Sequence, residues 1–184
     1  YMSFGFTHAD SLVKSHNSRN AYFGTNPISF AVPRYEMTPY CLDMSCSKIA
    51  WNKLLMKRSN NETLETGLAA NESGSLTIEP TDAKSLIPIG DYKGYGLASM
   101  VEILCGIYGG MPYGKSIPPM FTTSMDKTRK LGQFYIVLRT DAVIKSDEFL
   151  KRMSGMSNEI YNQETLEDEN LILPGDKEDI ESKK

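Results

Sequence analysis

Histidine, tryptophan and cysteine are scarce in this 184-residue sequence, with two, one and three residues respectively. Cys41, Cys46 and Cys105 are an odd number without the spacing of a metal site or a disulfide framework. Each has apolar neighbours, among which a thiol acts as a small hydrophobe, and a reducing interior suits them. No apolar run approaches the ~20 residues a membrane-spanning helix needs, and the first residues lack the basic-then-apolar order of a secretory signal. A soluble protein is expected, with no membrane partner. The formal charge of −3 is small and dispersed, with no basic stripe, which argues against a nucleic-acid surface. There is no internal repeat, no low-complexity segment and no Gly-x-Gly-x-x-Gly loop. The chain opens on Tyr1 rather than Met, as expected of a processed chain or of a fragment of a longer one.

What is present centres on Ile87 to Gly110. A Pro/Gly loop brings Asp91 and Lys93 to the mouth of an apolar run in which Leu97, Met100, Val101, Leu104 and Tyr108 recur at helical spacing. Ile103 and Ile107 add a second apolar side, which predicts a helix covered by other elements. Gly94 and Gly96 flank the first turn, where a backbone or a ligand could approach closely, and Gly109 and Gly110 end the helix. Residue pattern alone favours a capped core helix over a ligand site.

Before it, Tyr1 to Phe6 reads as the end of a buried strand, followed by a polar loop from Thr7 to Asn20. His8 and His16 fall in that loop and read as solvated or turn residues, since no pattern supplies the orienting partner a general base needs. Phe23-Gly-Thr-Asn-Pro-Ile-Ser29 leads into Phe30-Ala-Val-Pro33. Gly24, Asn26 and Pro27 make a turn, and Thr25, Asn26 and Ser29 bring it donors and acceptors. Such a cluster can clasp a nucleotide or satisfy its own backbone. After a turn at residues 36–39, Tyr40 to Met44 reads as a short buried strand whose sole charge, Asp43, requires a definite partner. Asp43 either caps the following helix, expected over residues 47–58, or orients a catalytic group. Residues 59–75 read as an exposed loop, and 81–85 as a short helical segment with Pro80 at its start. Residues 111–130, with three prolines, are too irregular for one element and suit a lid or a subunit contact. Gly132 to Leu138 is a strand, Ser146 to Gln163 an amphipathic helix through Phe149, Met153, Met156 and Ile160, and Leu171 to Asp176 an extended piece before a charged, frayed tail.

Several of these islands, in order, resemble the malate/L-lactate dehydrogenase family that is not Rossmann-like: Gly24–Ser29, Leu42-Asp43-Met44, Glu79-Pro80, Lys93 to Leu97 with Val101 to Leu104, Gly132-Gln-Phe134 and Pro174-Gly-Asp176. The resemblance runs over nearly the whole chain. It implies an α/β (α+β) fold with a largely antiparallel or mixed sheet flanked by helices, a non-Rossmann cofactor domain incomplete at its N-terminus. That domain is expected over residues 1–145, with 146–184 forming a C-terminal helix and tail that pack back on a missing N-terminal part.

The resemblance also implies the chemistry: NAD or NADP accepts or donates a hydride as a 2-hydroxy acid and a 2-oxo acid interconvert, in a cytoplasmic homodimer when full length. Hydride transfer to a carbonyl makes an alkoxide, so a proton donor and a cation for the substrate carboxylate are needed. In the family that His and Arg precede the cofactor domain. By the match, Phe23, Gly24, Thr25, Asn26, Pro27, Ile28 and Ser29 form a first cofactor-contact segment, Glu79 and Pro80 a second, and Pro174, Gly175 and Asp176 a third. Lys93 matches a lysine at the cofactor cleft, and Asp43 the aspartate that supports the catalytic His. The chain departs from the family at His8, which stands where the family has Asn, at a missing Pro in the next loop, and at Asn52, which replaces a usual Gly. No metal is expected. The alternative is a non-catalytic remnant that binds cofactor or pairs with an intact homologue.

Overall fold

β-branched and aromatic residues cluster in short runs between Gly, Pro and Asn turns, and the longer strands form there. The computed structural model describes residues 1–166 and 169–184. In chain order the elements are β1 (Met2–Thr7), β2 (Val13–Lys14), β3 (Ala21–Phe23), β4 (Ile28–Arg34), β5 (Met37–Met44), α1 (Trp51–Ser59), β6 (Ala69–Ala70), β7 (Leu76–Thr77), β8 (Ser85–Leu86), α2 (Tyr92–Glu102), β9 (Gln133–Leu138), α3 (Ser146–Tyr161) and α4 (Asp176–Ser182). They make two sheets, ordered β5-β4-β1-β9 and β3-β2-β8-β6-β7. The second sheet is mixed: β2 and β8 run parallel, and the β2–β3, β6–β7 and β6–β8 pairs antiparallel. An α/β architecture of two sheets, the second of them mixed, with flanking helices is therefore what forms.

The chain divides into two compact units. The first comprises Tyr1–Gly5, Ser29–Asp43 and Tyr135–Lys184; the second, Phe6–Ile28 and Met44–Phe134. In the first, β4 and β5 are joined by Tyr35 and Glu36 alone, with Glu36 at φ +51°, so the two strands are an antiparallel hairpin. The turn therefore lies earlier than residues 36–39, and Pro39 sits within the strand. Phe4 lies tilted against Phe30 at 4.5 Å, and Phe30 meets Tyr40 edge-on at 6.2 Å. Ser154 of α3 receives the Tyr35 N–H (2.8 Å) and donates to its carbonyl (3.1 Å), pinning the helix to the hairpin turn. The Phe149 and Met153 side of α3 is half-buried as its spacing predicts, but Met156 is exposed.

Arg34 ends β4 inside a saturated polar cluster. It donates to Thr38 O (2.6 Å), Tyr161 Oη (2.8 Å) and Asp176 Oδ1 (3.2 Å). Asp176 also accepts from Tyr161 (2.7 Å) and from the Leu173 N–H (2.6 Å). Burial by itself would raise the Asp176 carboxyl; the Leu173, Tyr161 and Arg34 hydrogen bonds together hold it below the usual range. Burial, with the Asp176 hydrogen bond, pushes the Tyr161 phenol up. α4 starts from this anchor, so the tail expected to fray is helical to Ser182.

The second unit has two apolar cores. Leu54 of α1 packs with Val13, Leu64, Ala69, Ala83 and Leu86. The segment expected as an exposed loop over 59–75 thus supplies Leu64 and β6 to the core. Residues 81–85 are a turn leading into β8 rather than a helix, because Ser85 and Leu86 pair with β6. Helix α1 starts at Trp51 rather than residue 47, since Ser47 bridges to Pro88 in extended form. Phe23, Cys46 and Ala98 form the other core.

α2 is a helix where expected, and Val101 is buried and Leu104 half-buried as their spacing predicts, but the rest of the inward face differs. Gly94, Ala98, Val101 and Glu102 are buried, and the helix continues as a π-helical turn, Ile103–Tyr108, that buries Cys105 and Gly106. Leu97, Met100, Ile103, Ile107 and Tyr108 are exposed. Small residues win the inward positions because the contacts there are backbone-close: a Cβ on Gly94 would stand 2.0 Å from Ile89 O. The wider π turn then shifts the phase of everything after Glu102.

Candidate functional site

The polar centre of the second unit is the turn at Gly24–Pro27. Gly24 passes so close to residue 9 that a Cβ would lie 2.4 Å from Ala9 O. Asn26 adopts φ +39° and is fully buried, a conformation Asn tolerates when its side chain bonds locally. Its Oδ1 accepts the Ala9 N–H (3.0 Å), and its Nδ2 donates to Ala98 O (2.9 Å) and to Glu102 Oε2 (2.9 Å). Glu102 Oε1 accepts the Gly114 N–H at 2.6 Å. The Asn26 carbonyl takes a hydrogen bond from the Cys46 thiol at 3.0 Å, and burial pushes that thiol up to about 11, so it remains a donor at neutral pH. Burial likewise raises the Cys105 thiol. Each polar group of the Asn26–Glu102 centre is matched, which makes the loop a fixed feature.

Residues 8 to 10 tie this turn to the irregular segment 111–131. His8 Nε2 lies 2.9 Å from Pro112 O, and the Gly132 N–H donates to Nδ1 at 3.0 Å. Nδ1 also lies 3.2 Å from Gly132 O, so with Nε2 against a carbonyl and Nδ1 against both backbone groups of Gly132, each ring nitrogen of His8 is engaged. Asp10 receives the Met120 N–H (3.1 Å) on one oxygen and pairs with Arg129 on the other. Arg129 Nε donates to Pro118 O at 2.9 Å.

These segments enclose a cavity of about 390 Å³, within the range of small-molecule pockets. Thr7, Thr25 and Ser45 contribute hydroxyl-bearing side chains to its wall; Pro27, Trp51, Phe121 and Leu131 contribute apolar surface. Asn52, at the start of α1, also lines it. The arrangement suits a small or ring-shaped group with an apolar body and a polar edge. Among the described residues no cluster of three or more His, Cys, Asp or Glu could hold a metal ion.

Of the residues singled out from sequence, Thr25 and Pro27 line this cavity. Asn26 points into the protein, and Phe23 and Ile28 belong to the apolar core. Lys93 is exposed in the first turn of α2. Glu79 is exposed, with its N–H on Thr77 Oγ1 (3.1 Å), and Pro80 is buried, its carbonyl receiving Arg58 at 2.6 Å. Asp91 pairs with Lys48 at 3.4 Å. Ser29, Asp43 and Pro174–Asp176 lie in the first unit. There Ser29 Oγ donates to Gly5 O (3.4 Å), Pro174 O accepts the Cys41 N–H (3.0 Å), and Gly175 takes φ +97° against Cys41.

Three expectations, for Asp43, Cys41 and His8, differ from what forms. Asp43 is exposed on β5, its side chain has no hydrogen bond or ion pair among the described residues, and it does not cap α1, whose N-cap is Ala50. β5 is an outer strand of its sheet, and Cys41 on it is exposed, not packed among apolar residues. His8 is fully buried rather than solvated; only His16 fits that reading, exposed and edge-on to Tyr92 at 6.1 Å. Asp10, Glu102 and Arg129 were not singled out for roles in a site, because their partners lie far along the chain. The one local signal was an Asp and a Glu set among apolar neighbours.

A sequence model of the family described as malate/L-lactate dehydrogenase matches residues 1–184. The chain is 29% identical over 192 residues to ureidoglycolate dehydrogenase (NAD(+)) of Escherichia coli K12, covering 100% of this chain and 53% of that one. It is 31% identical over 176 residues to (2R)-3-sulfolactate dehydrogenase (NADP(+)) of Chromohalobacter salexigens, covering 95% and 50%. Among solved structures it is similar to sulfolactate dehydrogenase from Methanocaldococcus jannaschii, with a TM-score of 0.87, 26% identity, and coverage of 97% of this chain and 52% of that one. The chain spans about half the length of the relatives it matches.

Proposed function

The chain belongs to the malate/L-lactate dehydrogenase family, and from that premise we propose that the full-length protein interconverts a 2-hydroxy acid and a 2-oxo acid with NAD or NADP. The observation that carries the proposal is the cavity built on the Gly24–Pro27 turn, the first of the cofactor-contact segments. A nicotinamide, when bound, supplies or accepts the hydride. The residues fit such a group in kind: Thr25 and Ser45 offer hydroxyls beside the apolar faces of Trp51 and Phe121. Asn26 and Glu102 hold the turn rigid, so little ordering is left for the moment of binding.

The remaining assignments belong to the same reading. Phe23, Gly24, Thr25, Asn26, Pro27, Ile28, Ser29, Glu79, Pro80, Lys93, Pro174, Gly175 and Asp176 form the cofactor-contact segments, some through the fold and some by direct contact. Residues 1–145 are the cofactor-binding part, and 146–184 pack against a portion that precedes them in the family. Asp43 supports a proton-transferring His contributed from that portion. Its exposed carboxylate, unpaired among the described residues, is free to accept a hydrogen bond from such a His. The full-length protein is a cytoplasmic homodimer in this reading, and the buried thiols of Cys46 and Cys105 suit a reducing compartment.

One observation favours the alternative of a non-catalytic, cofactor-binding protein: the only histidine on the cavity wall, His8, has both nitrogens engaged. Following NADH and NADPH oxidation by the full-length protein against a panel of 2-oxo acids separates the two. Turnover with any of them supports the dehydrogenase; cofactor binding without turnover supports the alternative. Sedimentation of the same sample tests the dimer.

A further inference from the structure

Among the residues lining the second unit's cavity, Arg129 is the only lysine or arginine. Its guanidinium is held at two points, Nε on Pro118 O and Nη2 on Asp10, and Nη1 has no partner among the described residues. Asp10 has its other oxygen on the Met120 N–H. The Asp10 side chain is 6% exposed and that of Arg129 20%, so this is a built fixture and not a loose surface pair. An arginine already fixed at Nε and Nη2 loses little rotamer freedom on capturing a ligand.

We infer that Arg129 is the anion-binding group of this cavity, and that the Nη1–Nη2 edge receives the carboxylate of a small 2-oxo or 2-hydroxy acid, with Asp10 as its positioning residue. The inference rests on the dehydrogenase reading and deepens it. It adds a cation from within this chain to the carboxylate-binding Arg that the family resemblance places elsewhere. Two parallel N–H donors match a carboxylate in geometry as well as charge. A dinucleotide phosphate offers the same anionic oxygens. A nicotinamide ring carries no phosphate, so in a cavity of about 390 Å³ that takes the ring, the anion Arg129 meets is the carboxylate of the small acid.

The test is steady-state kinetics of the full-length protein and of Arg129→Gln, with a 2-oxo acid substrate and with its primary amide. Losing one charge-assisted pairing should lower kcat/KM for the acid roughly 10- to 100-fold. Dissociation constants for NADH and NADPH should change by less than about two-fold, since only the acid would have lost a contact. With the amide the substitution should cost nothing further, because the group it serves is gone. Arg129→Lys, which keeps the charge and loses the fork, should fall between. Equal losses on acid and amide overturn the inference, because they mark a role in holding segment 111–131 alone. So does a loss confined to the KM of NADPH, which puts a phosphate there. Turnover in the parent with either result overturns this inference only; no turnover in the parent removes the dehydrogenase reading and this inference with it.

Discussion

Glu102 carries a carboxylate, 3% exposed, into a place where its hydrogen-bond partners are two N–H donors, Asn26 Nδ2 and Gly114 N. The pairing is directional, so an isosteric change reverses it. Glu102→Gln turns one acceptor into a donor facing a donor, and Asn26→Asp sets two carboxylate oxygens 2.9 Å apart. Each should destabilise the protein by about 2 kcal/mol. The double variant Asn26→Asp/Glu102→Gln restores donor to acceptor and leaves only Ala98 O without its donor, so urea unfolding should show it more stable than the sum of the singles. Additive losses would mean the pair is not a unit. Asp176 is the opposite case, a carboxylate paired with the deeply buried Arg34. Its folded-state value is lowered, so its contribution to stability is fully present above the ordinary carboxylate value of about 3.9 and is lost as pH falls through the lowered one. Asp176→Asn strands the Arg34 charge and should lower stability at pH 7 by about 3 kcal/mol. Thermal unfolding of the variant between pH 2 and 6, a window of about two units either side of that ordinary carboxylate value, should show a weaker dependence on acid than the parent. An unchanged dependence would remove Asp176 from the acid response.

At the level of elements, α2 offers a comparison between two glycines two residues apart in sequence, and so on opposite sides of the helix. Gly94 faces Ile89 O, where an added Cβ would stand at 2.0 Å; around Gly96 nothing lies within 4 Å. Gly94→Ala should therefore push the Ile87–Asp91 loop off the helix and destabilise by about 3 kcal/mol or more. Gly96→Ala should stabilise by roughly 0.5–1 kcal/mol through helix propensity. Chemical denaturation of both reads the contrast, and like signs would refute the packing. The helix itself was legible in sequence from its periodicity and its terminal Gly109-Gly110. Its buried face was not, since Leu97, Met100 and Ile107 outweigh Gly94 and Ala98 in any count of apolar residues, while burial follows close backbone approach. The Gly24–Pro27 turn was legible because turn chemistry is local. Pairings such as Asn26 with Glu102, 76 residues apart, and Asp10 with Arg129, 119 apart, leave no local trace. Residues 81–85 failed for the same reason: Pro80 signals a helix start, and β8 exists only because β6 pairs with it.

For the molecule as a whole, the proposed dehydrogenase reading divides function between holding a cofactor and moving a proton. The second unit carries the cavity and every hydrogen bond that fixes the Gly24–Pro27 turn. Asp43 lies in the first unit, exposed, with no partner among the described residues. An exposed, unpaired side chain contributes little to folding, within about 0.5 kcal/mol, so a structural role and a catalytic role make different forecasts here. If Asp43 supports a proton-transferring His in the full-length enzyme, Asp43→Ala should leave thermal unfolding and NADH affinity near those of the parent. It should lower turnover roughly 100-fold or more, as expected when the group orienting an acid–base residue is removed. Stopped-flow reduction of a 2-oxo acid, beside a fluorescence titration with NADH, separates the two quantities. Parental turnover in Asp43→Ala would take Asp43 out of the mechanism. A loss of NADH affinity with unimpaired turnover at saturating cofactor would instead make its carboxylate part of the nucleotide site.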